Sequence, residues 1–420
     1  MFCSLDICAH IAHALKDAPS ILMPTEQAFE STESLAWGGS GIALFYALLH
    51  QKCPHENWDK VAHAYIKMIG KKIETQTSHD LSLFKGFTGY ACGVYICSQH
   101  KKRYQNLLNS LDQTLFHEIS SHLEKLEKEW LLDTPLSPCI YNVTQGLAGY
   151  LVYLLHRYDD FPFPPLLPYV LRHLVQLFLT PKKIHGKSYL PWTVSLSNEG
   201  INEGYYTNIP DGITGVLAVL VMAAEKGIWV EGQYDLISQI TLWLRENVVT
   251  VEATLTWPYH IPLEPSPPQS FDETSFIPPI WQRGAPGIAR TLFRSAAILR
   301  DRELKEFSQE TVFKALQKGL DSLPFDDCSL GFGYGGLLMI AQRMGYDTEL
   351  PSFYTLSQKL EDKIKTLYRP THSFGFQMAK EEQIDNPYLL QGAAGVGLAL
   401  LARSQDLKQE LALLNNILVI

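Results

Sequence analysis

The stretch Asn386–Leu401 reads NPYLLQGAAGVGLALL: a turn, two glycines three apart, then a run of small and large apolar residues. The same arrangement recurs at Gly38–Gly41 (GGSG), Gly86–Gly89 (GFTG), Gly146–Gly149 (GLAG), Gly212–Gly215 (GITG), Gly284–Gly287 (GAPG), Gly333–Gly336 (GYGG) and Gly392–Gly395 (GAAG). The starts lie 48 to 72 residues apart, room for two helices and their loops in each unit. One GxxG is a weak signal, whereas seven in phase with apolar runs mark a repeat architecture.

The runs that follow the glycines have helical spacing: Ile42, Leu44, Phe45, Leu48 and Leu49; Leu151, Tyr153, Leu154 and Leu155; Leu398, Leu400 and Leu401. Helices this apolar all round are buried on both sides. The segments between them are charged and amphipathic, as in 110–130 (SLDQTLFHEISSHLEKLEKEW) and 236–248 (LISQITLWLRENV). Buried helix alternating with one-sided helix, seven times over, predicts an all-α fold: an α/α toroid of seven inner and seven outer helices, one domain over 1–420. Glycine at the mouth of each inner helix lets neighbouring turns approach closely.

Two segments break the rhythm. Residues 181–210 are rich in Gly, Asn, Ser and aromatics and read as loops or short strands, while 257–280 contain seven prolines, which exclude a regular helix. Both precede a glycine motif, so both are expected over the open end, as functional covers or as solvated connectors.

Bulk properties narrow the function. The chain has 420 residues, 46% hydrophobic and 19% charged, as in soluble globular proteins. A net charge of −9 without a basic stripe argues against nucleic acid as a partner. Gly215–Ala224 (GVLAVLVMAA), the longest apolar run, is too short to span a bilayer. The N-terminal MFCSLDICAHIAHALKD lacks the features of a signal peptide, and seven cysteines in no paired spacing suggest reduced thiols, so a cytoplasmic location is expected. Cys92 and Cys97 fall in an apolar helix and read as buried structural thiols.

Trp281–Gly287 (WQRGAPG), Ser329–Gly336 (SLGFGYGG), Ile209–Gly215 (IPDGITG) and Asn386–Leu401 resemble the lanthionine synthetase C-like (LanC) family over essentially the whole chain. The resemblance implies an α/α toroid with a zinc ion at its open end. There the zinc activates a cysteine thiol of a precursor peptide for addition to a dehydrated residue. A lanthipeptide dehydratase is a second partner it implies.

Carried over motif by motif, the zinc ligands are missing. Gln282 stands where the family has a cysteine, and Gly331 and Phe332 stand where it has a cysteine and a histidine. Asp211 replaces a histidine used in proton transfer, and Asn142 replaces an acidic residue. A thiolate–imidazole site needs soft or borderline donors converging on one point. No zinc is therefore expected, unless Cys139 or Cys328 forms a relocated site with His185 or His260.

Asp211 and Arg283, an anion and a cation, are the candidates for whatever catalysis survives, or for a salt bridge that fills the vacated place. Asn142, Trp281, Gln282, Phe332 and Tyr334 are the candidate peptide-binding residues, Phe332 either as an apolar plug or as one wall of a groove. Two functions stand. One is a zinc-less scaffold that binds a precursor peptide or partner, and the other is an active cyclase working without zinc or with a relocated metal. A carbohydrate enzyme on a similar toroid would need paired carboxylates across a cleft. Glu203 with Asp211, or Asp272 with Glu273, would have to supply them, and the glycine motifs suit that class less well.

Overall fold

In a computed structural model the described residues are 2–17, 32–76, 79–99, 102–129, 136–159, 166–184, 186–194, 203–263, 278–323, 326–376, 386–402, 414 and 417–418. They are mostly helical, with six three-residue strands. They divide into two compact units, one of residues 1–111 with 316–418 and one of residues 112–315.

Every glycine motif opens a helix, and in each the first glycine is the N-cap in extended backbone. The motif helices are Gly39–Lys52, Phe87–Cys97, Leu147–Arg157, Ile213–Glu225, Ala285–Leu299, Tyr334–Thr348 and Ala393–Leu401. In Ile213–Glu225 every residue from Ile213 to Ala224 is buried. Each large aliphatic side chain so placed contributes about 1.5–3 kcal/mol relative to exposure. That helix stops at Lys226, followed by Gly227 in left-handed backbone at φ 74°.

One-sided helices pack against the motif helices. Trp58–Ile73 lies on Gly39–Lys52, Leu166–Leu179 on Leu147–Arg157, Gln233–Glu246 on Ile213–Glu225, and Pro351–Leu367 on Tyr334–Thr348. The last motif helix takes its partner from the other end of the chain. Ser4–Leu15 packs on Ala393–Leu401, and the Cys8 thiol donates to the Gly397 carbonyl at 3.4 Å. The long helices Gln105–Glu129 and Arg302–Ser322 follow the second and fifth motif helices in sequence.

Close approach of turns is what the second glycine serves in the motifs at Gly41, Gly89, Gly215, Gly287 and Gly395. A Cβ on Gly41 would lie 2.6 Å from Leu389 Cβ, and one on Gly215 would lie 2.6 Å from Val143 Cγ2. Main-chain bonds join the same turns, with Ala36 N–H donating to Phe84 O at 3.0 Å and Ile209 N–H to Gln282 O at 3.1 Å.

The two irregular segments meet. Gly204–Tyr206 pairs antiparallel with His260–Pro262, in the register Tyr205 opposite Ile261, and Val194 and Gly204 exchange N–H···O bonds. Much of the proline-rich segment, residues 264–277, lies outside the described residues. Among the described residues no helix is long and apolar enough to cross a membrane.

Candidate functional site

The turns before the motif helices are built from short polar side chains. In four of the seven, a Ser or Asn four places before the first glycine caps the N–H just before that glycine. Ser34 Oγ accepts from Trp37 N–H at 3.0 Å, Asn208 Oδ1 from Asp211 N–H at 2.8 Å, and Ser329 Oγ from Phe332 N–H at 3.3 Å. Asn142 belongs to this set. Its Oδ1 accepts from the Gln145 and Gly146 N–H groups at 2.7 and 3.1 Å, and its side chain is buried. The structure thus gives Asn142 a turn-capping bond, which the recurrence of Ser or Asn at this offset could have signalled.

A polar cluster forms where Asp211, just before Gly212, meets Tyr259 and Arg283. Asp211 Oδ2 accepts from the Tyr259 hydroxyl at 3.4 Å and stands 3.9 Å from Arg283 Nη2. The Arg283 guanidinium lies over the Tyr259 ring, 5.4 Å from its centroid. Tyr206 packs on Tyr259 with ring centroids 5.1 Å apart. The expected juxtaposition of Asp211 and Arg283 is therefore found, as a loose and partly exposed pair worth under about 1 kcal/mol. The strand pairing of 204–206 with 260–262 brings Tyr259 and Tyr206 to it. Sequence reading missed both tyrosines, because nothing local tells that two irregular segments pair.

Burial first, and then the Asp211 charge, push the Tyr259 hydroxyl up to about 12, with Arg283 opposing. The same two causes raise Tyr206 and, more strongly, the fully buried Tyr141. A carboxylate ringed by phenols that keep their protons is a hydrogen-bond acceptor.

Trp281 and Gln282 are both buried, and Gln282 uses its carbonyl oxygen to receive Ile209. Trp281 Nε1 is buried with no hydrogen-bond partner.

Phe332 and Tyr334 belong to the other unit. Gly331 donates its N–H to Leu390 O at 2.6 Å, Phe332 is half-buried, and Tyr334 is buried under the Lys363 ammonium, 5.4 Å from its ring centroid. Lys363 pairs with Asp326 at 2.9 Å. Cys328 beside them is buried, and burial drives its thiol well above the ordinary range.

The zinc implied by the resemblance does not suit these residues. Gly331 has no side chain, Phe332 offers only a ring, and Gln282 is a neutral amide. For a relocated site, Cys139 is exposed with its thiol 3.0 Å from Gln145 Oε1, and Cys328 is held as a protonated thiol. His260 packs against Tyr206, and His185 lies outside the described residues, as do Asp272 and Glu273. Among the described residues no three His, Cys, Asp or Glu side chains cluster as a metal site would require.

The described geometry can be set beside known proteins. Residues 31–415 match the family model "Lanthionine synthetase C-like protein". "Nisin biosynthesis protein NisC" of Lactococcus lactis subsp. lactis is 24% identical over 320 residues, covering 73% of this chain and 72% of that one. The solved structure "Nisin cyclase" matches with a TM-score of 0.75 at 20% identity over 98% of each chain. That likeness shows the fold, all-α and of the α/α-toroid class expected from the glycine motifs. With glycine-capped helices repeated seven times and a family match over nearly its whole length, the chain belongs to the lanthionine synthetase C-like family.

Proposed function

We propose that this protein serves lanthipeptide-type peptide modification as a zinc-less scaffold, binding a precursor peptide or a partner such as a dehydratase in the cytoplasm. The observation that carries this reading is the donor set. Gln282, Gly331 and Phe332 stand where the family carries its three zinc ligands. Without a metal, a peptide thiol keeps a pKa of about 8.5 and is mostly protonated at neutral pH. Zinc-activated thioether formation then has no driving group, whereas the polar cluster of Asp211, Tyr259 and Arg283 remains in place to bind a peptide.

Two measurements test it. Elemental mass spectrometry after zinc loading and desalting should find no retained zinc. Dehydrated nisin precursor peptide should be retained by the protein, while its free thiols, counted by alkylation, disappear no faster than in buffer. One tightly held zinc per chain would overturn the zinc-less reading and point to a relocated site using Cys139 or Cys328.

The same cluster favours a second reading, a zinc-independent cyclase. Holding reactants in place can supply several kcal/mol of a barrier. That reading requires thiol loss faster than in buffer and its abolition by Asp211→Asn or Arg283→Met.

A further inference from the structure

We infer that Asp211 and Arg283, set across the Tyr259 ring, form a clamp for a main-chain amide of an extended, uncharged peptide segment, engaged through neither thiol nor metal. The inference rests on the peptide-binding reading above and names its contact chemistry. Arg283 is positioned but not satisfied. Its Nη2 stands 3.9 Å from Asp211 Oδ2, too far for a hydrogen bond, and its Nε is buried with no hydrogen-bond partner. The guanidinium carbon lies over the Tyr259 ring, 5.4 Å from its centroid.

The same two turns carry two further unmet N–H groups. Asn208, fully buried, leaves Nδ2 without a partner, and Trp281, 2% exposed, leaves Nε1 so. The Ile209–Gln282 main-chain bond at 3.1 Å sets their two turns side by side. Buried donors left unpaired are costly, and such groups gather where an acceptor is to be received.

The charges select the class of ligand. The carboxylate beside the guanidinium makes the pair neutral, so an entering anion meets Asp211 as well as Arg283, and an entering cation meets the converse. An amide suits both members: its C=O accepts from the fork and its N–H donates to the carboxylate. Tyr259 and Tyr206, in ring contact, offer an aromatic wall for the neighbouring side chain.

The test observes Arg283 itself. In the 15N-labelled full-length protein the Arg283 Nε–Hε signal is assigned by its loss in Arg283→Lys. The protein is then titrated with N-acetyl-glycylglycine N-methylamide, with acetate and with inorganic phosphate. The clamp requires that the capped peptide moves this signal, that acetate and phosphate leave it in place, and that Asp211→Asn weakens the peptide response about tenfold, the loss of one charge-assisted hydrogen bond. Tyr259→Phe, which keeps the ring, serves as the second variant and should retain the response within about threefold. A signal that follows acetate or phosphate but not the peptide, or that follows none of them, overturns the clamp. Retention of dehydrated nisin precursor with a silent Arg283 would sink the clamp and leave the scaffold reading standing. A responsive Arg283 without retention of the precursor would do the reverse.

Discussion

The Gly331 N–H donates to the Leu390 carbonyl oxygen at 2.6 Å, so a position with no side chain of its own serves a main-chain link between two motif turns. The link continues through its own unit. Leu390 N–H donates to Ala36 O at 3.3 Å, and Ala36 N–H to Phe84 O at 3.0 Å. Four motif turns are thus tied in the order sixth, seventh, first, second. In the other unit the Ile209–Gln282 bond ties the fourth to the fifth, and Thr144 Oγ1 donates to Pro210 O at 3.0 Å. The belt depends on the backbone, so side chains at these turns can vary while the turns persist.

Close approach makes the belt fragile to added volume. A Cβ on Gly395 would overlap the Leu389 carbonyl and sit 2.9 Å from Leu330 Cβ. Gly395→Ala should cost about 2–4 kcal/mol, read as a lowered urea midpoint. Gly186→Ala is the control. That glycine has φ 77° with nothing within 4 Å, so only the left-handed backbone is penalised, by about 1 kcal/mol. Equal losses at the two positions would contradict the packing argument.

Asp112 and Arg157 form a buried ion pair, with side chains 0% and 3% exposed. Arg157 Nε also donates to Asp112 Oδ1 at 3.3 Å, and the Tyr153 hydroxyl donates to the same oxygen at 2.6 Å. Removing one partner strands the other charge, so Asp112→Leu or Arg157→Leu alone should cost about 3–5 kcal/mol. The double variant should cost less than the sum of the two single changes, because neither charge is left behind. Additive losses in a double-mutant cycle would show that the pair is not coupled.

The repeat was the most legible feature, because a GxxG ahead of an apolar run reports burial directly. Seven glycine N-caps follow from it. The partner of the last motif helix was not legible: Ser4–Leu15 lies nearly the whole chain away, and its apolar face names no neighbour. The site was half legible. Asp211 and Arg283 flank glycine motifs, so the repeat register placed them at equivalent turns, and they are found 3.9 Å apart. Tyr259 joins them through an antiparallel pairing of three residues, too short to leave an alternation pattern. Asn142 shows the opposite case, a polar residue visible in the motif whose oxygen proves to be occupied by its own turn.

Tyr259 should report on Asp211. Its hydroxyl, at about 12, is raised by burial, by the Asp211 charge and by their hydrogen bond. Asp211→Asn removes the charge and leaves the burial, so the hydroxyl should ionise earlier but still above about 10, the ordinary phenol value. The check is an alkaline titration of ζ-13C tyrosine signals, with Tyr259 assigned by Tyr259→Phe. An unchanged titration would show that the two groups do not interact.

Asp327 gives a pH dependence of unusual sign. Its Oδ1 accepts from Ser329 N–H at 2.6 Å at the start of the Gly333 turn, yet burial outweighs that bond and raises its carboxyl above the ordinary value. The folded chain therefore holds this proton to higher pH than the unfolded chain, whose aspartate titrates near about 3.9. The protonated form favours folding. The contribution is complete below the unfolded value and is lost as pH rises through the folded one. Asp327→Asn keeps an oxygen for the Ser329 N–H and removes the titration. The variant's urea midpoint, measured from about pH 4 to pH 7, should gain on the wild type as pH rises and level off once Asp327 is fully ionised. A difference that stays constant, or that shrinks with rising pH, would mean that the Ser329 bond outweighs burial after all.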